Sequence, residues 1–76
     1  MQWMPLQDMK TKKWVLCVMH SDHIHYERTE IVSDSIETIL SCADYMNGRS
    51  DGSGLGMLPG LKQLKEKYPP RTDSKN

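Results

Sequence analysis

The apolar run Trp14–Met19, with the sequence WVLCVM, constrains the fold more than any other stretch of the chain. Successive side chains of a strand point to opposite faces of its sheet, so both faces of this strand are apolar. One face carries Trp14, Leu16 and Val18, and the other carries Val15, Cys17 and Met19. A strand of this kind suits a position between two neighbouring strands, with cover on both faces. The run therefore predicts the central strand of an antiparallel sheet.

The segments on either side of this run supply its expected neighbours. Downstream, HIHYERTEIV alternates apolar and polar residues, which indicates a second strand. With a two-residue loop at Ser21-Asp22, the hairpin places His20 opposite His23 and Val18 opposite His25. The alternative is a longer loop, which would shift this register and could move the residues of one strand to the opposite face. Upstream, QWMPLQ offers a short third strand, because Pro5 is tolerated on a sheet edge. A second copy of the protein is the alternative neighbour on that side.

A helix is expected after the hairpin. Asp34 is a residue type that caps helix N-termini, and Glu37 three residues later completes a capping box. Apolar residues recur at helical spacing until Asn47-Gly48 ends the pattern. They are Ile36, Ile39, Leu40, Ala43 and Met46.

A second helix is expected near the C-terminus. Pro59 suits its first turn and Pro69-Pro70 its end, while Leu58, Leu61, Leu64 and Tyr68 form its apolar stripe. These elements predict an α+β fold in which a two- or three-stranded antiparallel sheet carries two helices packed on one face. We expect one small domain over residues 1–70 and a disordered polar tail over 71–76.

Composition disfavours several classes of protein. Ten basic and ten acidic residues give a formal net charge of zero, so direct nucleic-acid binding is not favoured. Two cysteines are too few for a disulfide framework, and the first ten residues lack the order of a signal peptide. We therefore expect a cytoplasmic protein with free thiols. No apolar run approaches the length of a membrane span.

The three histidines, His20, His23 and His25, raise the hypothesis of a metal site. Zinc requires three or four nitrogen or sulfur ligands that converge at about 2.0 to 2.3 Å. Side chains two residues apart on one strand stand almost 7 Å apart (about twice the rise per residue), which opposes that geometry. No CxxC or HExxH motif accompanies the histidines. We therefore expect no metal and no other cofactor, with exposed or partner-facing histidines.

Other residues suggest chemistry only weakly. Cys17 and Cys42 lie in apolar surroundings, which favours inert core thiols over nucleophiles. The GxGxG segment around Gly54 follows a helix and lacks the lysine of a phosphate loop, so we interpret it as a flexible connection that can contact a partner. Lys62 and Lys65 lie on a mixed-charge helix, where we expect solvent or partner contacts.

The strand that is apolar on both faces also suggests where a partner binds. We expect the helices to cover the face that carries Val15, Cys17, Met19, Ile24 and Tyr26. Trp14, Leu16 and Val18 then have no cover within the chain beyond its N-terminal segment. An exposed apolar patch of this kind is typical of a contact surface. We therefore expect Trp14 and Leu16 in a partner or self-association interface, with His25 and Glu27 at its rim.

The order of elements and two short motifs resemble the small phage-encoded anti-CRISPR proteins that inhibit type I-F systems. The matching residues are Ser35-Ile36-Glu37 at the first helix start and GSGLG, residues 52–56, before the last helix. The resemblance implies a protein that occupies a surface of an RNA-guided surveillance complex and does not catalyse a reaction. If the protein is phage-encoded, its expected location is the cytoplasm of the bacterial host.

The sequence thus favours a non-enzymatic protein-binding inhibitor or accessory factor from a phage or mobile element. Its expected partner is a host protein or ribonucleoprotein complex, and a homodimer is a further option. Two alternatives remain open at this point. One is a small metal-binding protein that uses the histidines, and the other is a small nucleic-acid-binding regulator that uses the lysines of the last helix.

Overall fold

A computed structural model describes residues 1–22, 24–53, 55–56 and 58–70. The elements, in chain order, are β1 (Gln2–Gln7), β2 (Trp14–Met19), β3 (Tyr26–Ser33), α1 (Ile36–Met46) and α2 (Leu61–Lys67). The strands form one antiparallel sheet in the order β1-β2-β3. The predicted α+β fold is confirmed, with three strands. The predicted tail, 71–76, lies outside the described residues.

The run WVLCVM forms the central strand, as its two apolar faces predict. QWMPLQ supplies β1, in which Pro5 lies opposite Leu16 on the sheet edge. An edge tolerates proline because the missing N–H faces away from the ladder. The chain therefore provides both neighbours of β2 itself.

The hairpin between β2 and β3 has a longer loop than predicted. Met19 pairs with Tyr26, and His20 N–H donates to His25 C=O at 3.0 Å. The Asp22 carboxylate causes the difference, because it accepts bonds from the backbone N–H groups of Ile24 and His25 and so stabilises a wider turn. The predicted pair of Val18 with His25 is therefore wrong, because Val18 pairs with Glu27. His23, the predicted partner of His20, lies outside the described residues. From Cys17 to Met19 the register shifts by two residues from the predicted pairs, so Tyr26 remains on the same face as Cys17 and Met19.

The assignment of the core to one face of the sheet was wrong. The helices cover Leu16 and Val18, which are fully buried, and Trp14 is half-buried against the same core. The placement of Trp14 and Leu16 in an exposed interface is therefore a misassignment. Both faces of β2 are equally apolar, so alternation alone could not choose between them.

The first helix ends where predicted but is capped by a different residue. Ser35, not Asp34, is the N-cap, and its Oγ accepts from Thr38 N–H at 3.4 Å. Glu37 accepts a bond from the same hydroxyl. Of the predicted stripe, Ile39, Ala43 and Met46 are buried, whereas Leu40 is exposed; Cys42 is buried as well.

The second helix is shorter than predicted at its start. Gly60, with φ of 84°, is its N-cap, so Pro59 precedes the helix and is not in its first turn. A Cβ at this position would lie 3.3 Å from Ile31 Cδ1, so glycine also allows the close approach to β3. Leu61 and Leu64 are buried, and Tyr68 contacts Trp3 edge to face with ring centroids 5.5 Å apart.

A single hydrophobic core lies between the sheet and the two helices. Each element contributes to it, which explains how a short chain closes one face of its sheet. The fully buried members include Leu16, Val18, Ile39 and Cys42.

Candidate protein-binding face

The face of the sheet opposite the helices carries the candidate site. We call it the open face. It contains the side chains that alternate away from the core, and the register brings them together across the three strands. They are Gln2, Met4 and Leu6 of β1, Val15, Cys17 and Met19 of β2, and Tyr26, Arg28 and Val32 of β3.

The open face is apolar at its centre and exposed at its periphery. Val15 and Cys17 are buried, yet they do not belong to the core beneath the helices. Around them Tyr26 is 53% exposed and Val32 is 45% exposed. Met9, in the loop between β1 and β2, is 69% exposed and lines the same shallow depression as Tyr26. Exposed large apolar side chains around a buried apolar floor are typical of contact surfaces.

One ion pair crosses the open face. Arg28 Nη2 donates to Asp8 Oδ2 at 2.9 Å. Asp8 also accepts from Lys10 N–H at 2.8 Å. That backbone bond and then the Arg28 guanidinium lower the pKa of Asp8. The pair therefore links the β1–β2 loop to β3 across β2.

Neither cysteine has the environment of a nucleophile. Cys17 lies under the open face and Cys42 lies in the helix-side core, and both are buried. Burial raises the pKa of Cys17, and it raises the pKa of Cys42 to about 11. A thiol at such a pKa is protonated at neutral pH and reacts slowly.

The outer edge of β1 is closed to an additional strand. Asn47, the C-cap residue of α1, donates from Nδ2 to Trp3 C=O at 3.1 Å and accepts from Trp3 N–H at 2.9 Å. Its amide thus takes the two backbone groups that a further strand would use. Pro5, two residues along the same edge, has no N–H to offer.

The outer strand β3 is irregular. Cys17 pairs with Arg28 and Val15 pairs with Val32, so residues 29–31 of β3 lie opposite Leu16 alone. Thr29 Oγ1 donates to Leu16 C=O at 2.8 Å and accepts from Ile31 N–H at 3.1 Å, which satisfies groups that a regular ladder would have paired. Irregularities of this kind hinder strand addition at an edge.

The described histidines do not converge. His20 Nε2 lies 3.5 Å from Glu27 Oε1, whereas His25 Nδ1 bonds Asp22 in the hairpin loop. In the part of the chain that the structure describes, no group of three or more His, Cys, Asp or Glu residues could hold a metal ion. His23 lies outside that part.

The other residues predicted to contact a partner are scattered. Glu27 lies on the helix side, where it accepts a bond from Tyr68 Oη at 2.9 Å, and His25 is exposed in the hairpin loop. Lys62 is exposed on α2, and Lys65 lies over the Tyr45 ring, with Nζ 5.7 Å from the centroid. Gly54 lies outside the described residues. Glu27 was predicted at the rim of an interface of Trp14 and Leu16; it does lie on their face of the sheet, but the helices cover that face.

Sequence reasoning missed Met9, Val32 and the ion pair as parts of a surface. Tyr26 was grouped with the correct neighbours but assigned to the core. The one available signal was the loop sequence DMKTKK, in which an isolated methionine lies among charged residues. Asp8 and Arg28 are 20 residues apart in the chain, and no spacing rule joins them.

Comparison with known proteins gives no relative for this chain. No protein-family model matches it, and neither curated proteins nor solved structures show a significant match. Among the described residues, no helix has both the length and the apolar character needed to cross a membrane.

Proposed function

We propose that this chain is a non-enzymatic protein-binding factor and that the open face is its docking surface. The observation that carries the proposal is the exposure of Tyr26, Val32 and Met9 around a buried apolar floor, on the face that the helices leave uncovered. Leaving an apolar side chain in water forgoes roughly 1.5 to 3 kcal/mol of burial, and contact with a partner recovers it.

The composition of the open face also supports protein binding. Tyrosine, methionine and arginine are enriched at protein interfaces, and Tyr26, Met9 and Arg28 combine these types around one depression. The buried cysteines, with raised pKa values, argue against thiol catalysis. We therefore place function in surface recognition.

The partner class in this proposal is a host protein or ribonucleoprotein assembly, which the chain would inhibit by occupying one of its surfaces. The resemblance to type I-F anti-CRISPR proteins makes the corresponding surveillance complex the first candidate. Binding of target DNA by the purified complex should fall when the protein is added.

The docking surface is tested with matched charge variants. Tyr26→Lys combined with Val32→Lys places two charges on the open face, whereas Leu40→Lys places a charge on the outer side of α1, where Leu40 is 42% exposed. Each variant is first checked for its fold by circular dichroism. We expect wild type and Leu40→Lys to bind the same partner and the double variant to lose it. Equal binding by all three proteins would contradict the assignment of the open face.

A further inference from the structure

We infer that the segment that docks on the open face is an acidic amphipathic helix of the partner protein. This inference rests on the proposed function and specifies the chemistry of the partner. It starts from the two edges of the sheet. Asn47 and Pro5 close the edge of β1, and the irregular stretch of β3 hinders pairing at the other edge. An extended partner segment therefore has no regular edge to extend.

The dimensions of the open face suit one helix. Three strands spaced about 4.8 Å apart and about 20 Å long form a platform as wide as a single helix with its side chains, which measures about 10 Å across. The opposite face of the same sheet already packs against helices through Leu16 and Val18. The open face is also apolar at its centre, through Val15 and Cys17, and it therefore offers a second surface on which an apolar helix stripe can pack.

The charges around the open face indicate the charge that the partner helix should carry. Lys10, Lys12 and Lys13, in the loop that carries Met9, are all exposed. Arg28 adds a guanidinium on the open face, and its bond to Asp8 uses only Nη2 of its five N–H donors. Asp8, the acidic residue of the same loop, is already paired with Arg28, so the three lysines leave this end of the open face positively charged. A helix with carboxylates beside its apolar stripe complements this surface, because its acidic side chains can face Arg28 and the lysines.

The loop geometry keeps the cations beside the apolar patch. Asp8 N–H donates to Lys13 C=O at 2.8 Å, and Lys12 N–H donates to Asp8 C=O at 2.7 Å, which closes the loop on itself. Lys12 adopts φ of 64° within it. Met9 and the lysines are thereby held at one end of the open face, where the apolar and charged groups of a single helix can reach both.

The probe is a synthetic, side-chain-stapled helix of about 18 residues, roughly 27 Å long, with a leucine stripe flanked by glutamates. Its control carries lysine in place of each glutamate. Titration into isotope-labelled protein, followed by amide chemical shifts, reports both affinity and location. We expect the acidic helix to bind saturably, with shifts centred on Met9, Tyr26, Arg28 and Val32, and the lysine helix to bind at least tenfold more weakly.

Two charge-reversal variants test whether the loop lysines attract the acidic helix. Lys10→Glu with Lys13→Glu should weaken binding of the acidic helix about tenfold, whereas Lys62→Glu with Lys65→Glu changes net charge equally and should not. Equal binding of both helices, shifts confined to the helix side, or no binding would overturn the inference. So would tighter binding to phosphatidylserine vesicles or to a random-sequence DNA duplex. If the open-face variants lose the partner while the acidic helix fails to bind, only the inference fails and the proposed function stands.

Discussion

Asn47 shows how one side chain can join two distant parts of this chain. It is buried, ends α1, and bonds both backbone groups of Trp3, from which it is separated by 44 residues. Asn47→Ala should lower the free energy of unfolding by about 2 to 4 kcal/mol, because it leaves a buried N–H and C=O without partners. Denaturant titration measures this loss, and light scattering tests whether the freed edge promotes self-association. A loss below about 0.5 kcal/mol, the size of an ordinary surface substitution, would show that Asn47 does not hold the edge.

The helix cap provides a second test at the residue scale. Ser35→Ala removes the acceptor for Thr38 N–H and should cost about 1 kcal/mol. Asp34→Ala is the matched control and should have little effect, because Ser35 occupies the cap. Thermal unfolding of the two variants distinguishes the positions. The reverse order of effects would restore Asp34 as the cap.

Sequence analysis placed the cap within one residue but could not find the contact of Asn47 with Trp3. Two adjacent residues of capping type, Asp34 and Ser35, are equivalent by pattern, and the backbone path out of β3 chooses between them. The bonds of Asn47 depend on where the end of α1 meets β1. The contact between the end of α1 and β1 is a tertiary contact, and the spacing of residues in the sequence does not reveal it.

At the scale of elements, the hairpin loop is predicted to depend on pH. The backbone N–H of His25, then that of Ile24 and the His25 ring, lower the pKa of Asp22 from 3.8 to about 2. A carboxylate whose pKa is lower in the folded state stabilises that state above its unfolded pKa, and this contribution is lost as the pH falls through the folded pKa. The stability advantage of wild type over Asp22→Asn should be fully present above about pH 5 and shrink as the pH falls towards 2. A constant difference down to pH 2 would contradict the role of Asp22.

Strands and helices were predictable because their signals are local. Two apolar faces identified β2, Pro5 marked an edge strand, and helical spacing gave α1 to its last turn. The hairpin register was not predictable from alternation, because the Asp22 bonds set the loop length. The start of α2 depends on Gly60, whose left-handed conformation and close approach to Ile31 come from packing.

At the scale of the whole molecule, the decisive feature is which face of the sheet the helices cover. The alternation of side chains along β2 correctly placed Leu16 and Val18 on one face of the sheet and Val15 and Cys17 on the other. Which of these two sets is covered depends on how the helices pack on the sheet. In this packing Leu61 and Leu64 of α2 join Trp3 of β1 and Ile31 of β3 in one core. The candidate site therefore could not be found from the sequence. The site is the face of the sheet that stays uncovered after the helices have packed on the other face.

Both the proposed function and the acidic-helix inference require the open face to be free in the folded chain. The most direct test compares the free energies of unfolding of Leu16→Ala and Val32→Ala by denaturant titration. Leu16 is fully buried in the core, so its truncation should cost about 2 to 5 kcal/mol. Val32 is 45% exposed, so its truncation should cost less than about 1 kcal/mol. A cost for Val32→Ala equal to or greater than that for Leu16→Ala would show that the core lies on the other face.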